Sequence, residues 1–240
     1  MNEPPGQSVA SFATVKLPLI HGPLVKIQIQ PFGHEYTISK GLLCAESPVF
    51  TAIFEGNFLE AQDQTLKLEA IEDVISPRSF EALIQWLYLR SVKFDVDDNS
   101  PGEQISAAIE LARLADMYNI TGIEAQITQY IKRIIIANPD PDSTEDRIVC
   151  DNNTALIGRE DIISGIILHR DHPVRRLLAQ ACVGAYLQIE DHKFAKLAQE
   201  YPCFGADLLH EVRLTLNGLK PYYKALFKDP ITGKRRYLNQ

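Results

Sequence analysis

Two histidines three residues apart, in the run His169-Arg-Asp-His-Pro173, form the most chemically suggestive pair in the sequence. On one turn they present two imidazoles with Asp171 between them, which is part of a transition-metal donor set. Zinc needs three or four ligands, and no third residue stands at a diagnostic spacing. Read as a phosphoryl-transfer catalytic loop, His-Arg-Asp requires an asparagine five residues past the aspartate. Arg176 occupies that place, and the chain has neither a glycine-rich phosphate loop nor Asp-Phe-Gly. Pro173 gives the better account. Asp171 or His172 caps a helix whose first turn takes the proline, because no backbone donor is needed there.

Two carboxylate runs are cation candidates: Asp95, Asp97 and Asp98, and the stretch from Asp140 to Asp146. Neither has the spacing, central glycine and twelfth-position glutamate of a calcium loop, so both read as solvated loops. Ser143 and Thr144, followed by Glu145 and Asp146, have the look of an acidic phosphorylation site, where a phosphate would extend an already acidic loop. Cys44, Cys150, Cys182 and Cys203 are widely spaced and read as free thiols of a reducing compartment. The sequons at Asn119 and Asn152 then carry little meaning. Nucleophile elbows, P-loops and dinucleotide fingerprints are missing. The chain is expected not to be an enzyme, and no catalytic residue, cofactor or metal ligand is assigned.

The elements that must position these residues are legible in the patterning. Val25, Ile27 and Ile29 alternate with Lys26, Gln28 and Gln30, a half-buried strand. Pro31-Phe32-Gly33 supplies turn chemistry, and Tyr36 with Ile38 continues the alternation on the return strand. Leu66 and Leu68 mark a third short strand. Ser47-Pro48 and Ser76-Pro77 are two helix starts of the same design. Val49, Ile53 and Phe54 share a face of the first helix. Phe80, Leu83, Ile84 and Leu87 form a core stripe on the second, while Trp86 and Tyr88 off that stripe predict a second buried face. Ile105, Ala108, Ile109 and Ala112 begin another helix, and Ile123, Ile127, Tyr130, Ile131 and Ile134 mark the next. Asn138 to Asp146 carries two prolines and four carboxylates with no apolar side chain, and reads as an exposed loop. Helices resume after it; one bears the stripe Val174, Leu177, Leu178, Ala181, Cys182 and Ala185. His169, Arg170, Arg175 and Arg176 make that region locally basic, able either to steer an acidic partner or to pair with the chain's own carboxylates.

A formal net charge of −7 repels phosphate backbones and disfavours direct nucleic-acid binding. Lys234-Arg235-Arg236 reads as a solvated cluster. No apolar run approaches the roughly 18 residues that span a bilayer. The start, with Glu3, Pro4 and Pro5, lacks the pattern of a secretory signal. No membrane association is expected, and the chain is placed inside the cell, in cytoplasm or nucleus.

Taken in order, Leu42-Leu-Cys44, Ser47-Pro-Val-Phe50, Phe54-Glu-Gly-Asn-Phe58, Leu66-Lys-Leu-Glu69, the helix ending Trp86-Leu-Tyr88 and Leu114-Ala-Asp-Met-Tyr118 resemble the BTB/POZ domain. Gly22-Pro23 and Leu42-Leu43-Cys44 resemble its fungal-type version. Where animal members commonly have Ser-Asp-Val and a His-Lys pair, this chain has Pro23-Leu24-Val25 and Ser39-Lys40. The remaining length fits no zinc fingers or kelch repeats. The resemblance implies an α+β fold, a small sheet capped by helical hairpins, here followed by an all-helical C-terminal segment. The expected organisation is a flexible lead-in at 1–20, the BTB/POZ domain at 21–137, an acidic linker or loop at 138–152 and the helical segment at 153–240.

The resemblance also implies protein partners. One mode is homo- or hetero-association through apolar faces, to which Val15, Leu17, Leu19 and Ile20 of the lead-in are candidate contributors, giving a homodimer. A second is service as substrate adaptor for a cullin-RING ubiquitin ligase. There the family uses an apolar residue, any residue and an acid after the Trp-Leu-Tyr helix; Val96, Asp97 and Asp98 stand at that place, with Phe94 beside them. A third is a transcriptional or chromatin-associated regulator without its own DNA-binding domain. The helical segment would be either a substrate-binding part or a stabilising extension.

Overall fold

The computed structural model describes residues 12–94, 100–138, 152–217, 226–228, 230–231 and 235–237. Three strands form a small mixed sheet in the order β2-β1-β3: β1 (Leu24–Gln30), β2 (His34–Ser39) and β3 (Thr65–Glu69). β1 is central. It pairs antiparallel with β2, setting Val25 opposite Ile38 and Ile27 opposite Tyr36. It pairs parallel with β3, setting Ile27 opposite Leu66 and Ile29 opposite Leu68. The period of two turns Val25, Ile27 and Ile29 inward, and all three are buried. Gly33, at φ +70, closes the hairpin, its N–H donating to the carbonyl of Ile29 at 3.1 Å. A parallel return needs a crossover, supplied by three short helices: α2 (Lys40–Glu46), α3 (Pro48–Glu55) and α4 (Leu59–Asp63), preceded by a lead-in turn, α1 (Leu17–Ile20).

Serine side chains set the helix starts. Ser39 Oγ accepts from Leu42 N, and Ser47 Oγ from Phe50 N. At α5 (Pro77–Leu89), Ser76 and Ser79 cap reciprocally at 3.1 Å. α5 lies against the sheet: the Tyr36 and Phe80 rings are 5.4 Å apart, and Ser39 N donates to Tyr88 Oη at 2.9 Å. Trp86 is buried on the second face that the sequence predicts for this helix. The inward side of α3 differs from expectation. Phe50 and Phe54 are the buried pair, and Val49 and Ile53 are half-buried. Both pairs satisfy the i, i+4 spacing, and the larger rings take the core because Tyr118 offers Phe50 a stacking partner.

α6 (Pro101–Met117) is buried on most of its circumference, including Ile105, Ala108, Ile109, Leu111, Ala112 and Leu114. Its alanines let α5 and α7 (Glu124–Ala137) approach closely. Each large apolar side chain fully withdrawn from water here contributes about 1.5–3 kcal/mol. α6 also receives α8 (Arg159–Gly165). Asp161 Oδ2 accepts from Gly158 N at the start of α8, and its Oδ1 accepts from Ser106 Oγ of α6, both at 2.7 Å. Residues 12–94, 100–138 and 156–175 make up the described part of one compact unit.

A second unit takes in residues 152–155 and the chain from Arg176 onward. α9 (Pro173–Gln188) supplies its first turn to the first unit and its remainder to the second. Val174, Leu177, Leu178, Ala181, Cys182 and Ala185 are all buried, as their stripe predicts. α10 (Ala195–Glu200) and α11 (Pro202–Asn217) meet at Gly205, where a Cβ would stand 2.7 Å from the carbonyl oxygen of Ala198. On α11, Glu211 is buried and held by Arg176 Nε at 2.7 Å and Gln180 Nε2 at 2.9 Å. This segment, read as helical throughout, also carries a two-stranded antiparallel ribbon, β4 (Leu226–Lys228) with β5 (Arg235–Tyr237).

Candidate protein-interaction surface

Two features outside the core carry the interaction candidates. The first is the lead-in turn. Its inner side is fixed: the Leu19 carbonyl accepts from Ser39 Oγ, and Leu19 packs so closely on α2 that a Cβ at Gly41 would lie 3.2 Å from that same carbonyl. Lys16 Nζ reaches Glu46 at 3.4 Å. Leu19 and Ile20 are accordingly half-buried. The outer side is apolar and open, with Val15 59% and Leu17 38% exposed. An exposed apolar side on an otherwise anchored turn is what makes this lead-in a candidate for partner binding.

The second feature lies beyond α5. Arg90, at φ +54, ends that helix, its N–H donating to the Trp86 carbonyl at 2.9 Å and its guanidinium lying 4.2 Å from the Trp86 ring centroid. Glu46 on α2 pairs with the same guanidinium. The chain then runs past Lys93, whose N–H donates to Gln85 Oε1 at 3.0 Å, to Phe94, half-buried against Tyr130 with ring centroids 5.3 Å apart. Tyr130 Oη in turn bonds Gln104 Oε1 at 3.1 Å. Val96, Asp97 and Asp98 lie outside the described residues, as do Asp95, Cys150 and the acidic stretch with Ser143 and Thr144.

The histidine pair resolves into a helix start. His172 is 1% exposed, and its Nδ1 accepts from Val174 N at 3.2 Å. Burial, aided by the nearby His169, holds its pKa below the ordinary 6.5. An Nδ1 that accepts leaves the ring proton on Nε2, so Nε2 has no lone pair for a metal. His169 Nε2 stands 3.9 Å from Asp116 Oδ1, a third acid or base that only folding could bring near. Among the described residues no three His, Cys, Asp or Glu side chains are grouped to hold a metal ion. The basic cluster is largely engaged by the chain itself: Arg176 by Glu211, and Arg175 by the Ile166 and Leu168 carbonyls at 2.8 and 2.9 Å. Cys44 is half-buried, with its thiol pKa pushed up by burial; Cys182 is buried and Cys203 exposed. Among the described residues no helix is long and apolar enough to cross a membrane.

Sequence reasoning passed over two exposed apolar pairs. Phe58 (57%) and Leu59 (71%) open α4, and Met117 (44%) and Ile167 (61%) flank a cavity of about 230 Å³ that Val74, Arg113, Asp116 and Leu168 also line. Adjacent apolar residues straight after a Gly-Asn helix stop, with no periodic partner, are the signal that marks the first pair. The second pair is joined only by the fold.

This arrangement, a small mixed sheet crossed over by short helices and backed by α5 to α7, matches a known family. Residues 24–135 match the model of the BTB/POZ domain. That stretch has the BTB/POZ fold, the fold of a protein-interaction module. Among curated proteins it is similar to Kelch repeat and BTB domain-containing protein 4 of Macaca fascicularis, 22% identical over 122 residues covering 51% of this chain and 20% of that protein. The Mus musculus protein of the same name is 22% identical over 109 residues, covering 45% and 18%. The chain thus spans about a fifth of the length of these relatives. Both are animal proteins, so the fungal-type qualifier suggested by Gly22-Pro23 and Leu42-Leu43-Cys44 finds no support.

Proposed function

We propose that this protein works inside the cell, without catalysis of its own, as an association module in which the BTB domain joins a second copy or a related domain through its lead-in face. The observation that carries this reading is the outward apolar side of the lead-in: Val15, just before α1, and Leu17, which opens it, stand in solvent while α1 is pinned from within by Ser39 and Gly41. Burying such side chains against a partner is favourable by about 25 cal/mol per Å² of apolar surface, before the cost of association. Sedimentation of the full chain tests it. The wild type is expected at the dimeric mass at micromolar concentration, and Leu17→Asp, which places a charge on that face without touching the core, at the monomeric mass. A wild-type monomer overturns the homotypic form of the proposal.

A second reading is a substrate adaptor for a cullin-RING ligase. It rests on the BTB resemblance and on Phe94, which ties the chain to Tyr130 immediately before the apolar-x-acid run Val96-Asp97-Asp98. In that role the helices after residue 153 would hold the substrate. The wider possibility of a regulator of transcription or chromatin lacking its own DNA contact is separated from it by what co-purifies with the tagged chain.

A further inference from the structure

We propose that His172 is an acid-sensitive cap, a buried imidazole whose protonation releases the first turn of α9. The ring closes that turn through one bond, Nδ1 accepting from Val174 N at 3.2 Å, and is 1% exposed. Its other nitrogen, Nε2, is buried without a hydrogen-bond partner. The turn before it is closed by His172 N donating to the His169 carbonyl at 3.0 Å. A ring nitrogen can accept only while unprotonated. A proton on Nδ1 turns the acceptor into a donor facing the Val174 N–H, so the cap is lost and a charge is buried at the same atom. Buried charge without a hydrogen-bonded counter-ion is the costlier half of that change.

The groups facing the ring set the direction. His169 on the same turn lies edge-on, with centroids 5.1 Å apart and planes at 70°, and its positive form opposes a second charge on His172. Asp116 at the end of α6 and Glu124 at the start of α7 act the opposite way. Arg175 is turned to the Ile166 and Leu168 carbonyls. Burial is the largest influence, and the net effect lowers the folded-state pKa of His172 from 6.5. For a group lowered on folding, the stabilisation is present in full above the unfolded-state pKa and is lost as pH falls through the folded-state pKa. The cap is therefore closed at neutral pH and opens on the acid side. Its place matters, because α9 is the helix by which the chain passes from the first unit into the second.

Imidazole nitrogen spectra of the labelled full chain, with hydrogen exchange of the Val174 amide, test this from pH 7.5 to 5. The expected result is the Nε2–H tautomer of His172 at pH 7.5. Val174 protection, corrected for the intrinsic exchange rate, should then fall about tenfold per pH unit below the His172 pKa. His172→Asn, whose side-chain oxygen caps without titrating, should hold that protection level. An Nδ1–H tautomer at pH 7.5 overturns the proposal and needs no variant to observe. Equal loss of protection in wild type and His172→Asn overturns it as well.

Discussion

The ring of Tyr118 lies parallel to that of Phe50, with centroids 4.4 Å and planes 6° apart, and its main-chain carbonyl accepts from the hydroxyl of Ser47 at 2.5 Å. One residue past α6 therefore fixes both the start and the inner face of α3. The serine does two jobs, since its oxygen also accepts from Phe50 N. Tyr118 is 6% exposed, and burial pushes its phenol up to about 12. The sign for stability follows. The ionised form is disfavoured in the folded state, so the Tyr118 contribution is unchanged below pH 10 and is lost as pH rises from there towards 12. A rise of this size corresponds to roughly 3 kcal/mol across that window. Urea unfolding at pH 8, 10 and 11 checks it, with Tyr118→Phe expected to lessen the alkaline loss.

Among the described residues of the first unit, Arg78 and Glu110 form a markedly asymmetric ion pair. The carboxylate side chain on α6 is 4% exposed and the guanidinium on α5 is 39% exposed, with contacts of 2.5 and 3.0 Å from Arg78 Nη2 and Nε to one carboxylate oxygen. Removing the arginine strands a charge that cannot reach water, whereas removing both partners does not. Arg78→Met is expected to destabilise by about 2–3 kcal/mol, less than a fully buried pair because the arginine is part-solvated. The double variant Arg78→Met with Glu110→Gln should recover much of that loss. Denaturant midpoints of the two variants decide it, and equal losses would show that the pair is not coupled.

The sequence made some of this plain and could not reach the rest. The alternation at Val25, Ile27 and Ile29 and the paired Ser-Pro starts are local signals, and the observed register and caps follow from them directly. The choice of His172 over Asp171 as the cap needed only the burial of the ring added to the Pro173 rule. By contrast, Glu110 and Asp161 look like surface residues because their partners, Arg78 and Ser106, lie 32 and 55 residues away in sequence. α6 shows only a weak stripe because helices surround it, so alanines as well as leucines face inward. Val49 and Phe50 offered equivalent phases, and only the distant Tyr118 decided between them. Of the interaction candidates, the lead-in could be read as apolar but not as pinned on one side, since the Leu19 contact with Gly41 is tertiary.

Gly205 is where α10 and α11 come closest, and the second unit depends on its having no side chain. A methyl there would meet the backbone oxygen of Ala198 at 2.7 Å, a contact that no rotamer relieves. Gly205→Ala ordinarily favours a helix by up to about 1 kcal/mol. Here the overpacking should dominate and give a net loss of about 1–3 kcal/mol. Thermal unfolding followed by circular dichroism tests the sign. A more stable variant would mean that the two helices slide apart freely.

The adaptor reading makes the sharpest demand on a short run of chain. Phe94 is half-buried with its ring against Tyr130, which leaves it less free to meet a partner than a fully exposed side chain. An exposed apolar residue with an acid at its rim would then have to come from Val96 and Asp98. Interface anchors of this kind cost about 2 kcal/mol or more when altered, which is at least tenfold in affinity. Val96→Asp and Asp98→Lys are therefore each expected to weaken binding to a cullin N-terminal domain by tenfold or more in calorimetry, with helical content unchanged. Phe94→Ala should weaken it less, and in proportion to how far the loop loses its hold on Tyr130. If the wild type and all three variants bind alike, or none binds, the loop is ordinary solvated chain and the association face at Val15 and Leu17 is left to carry the function.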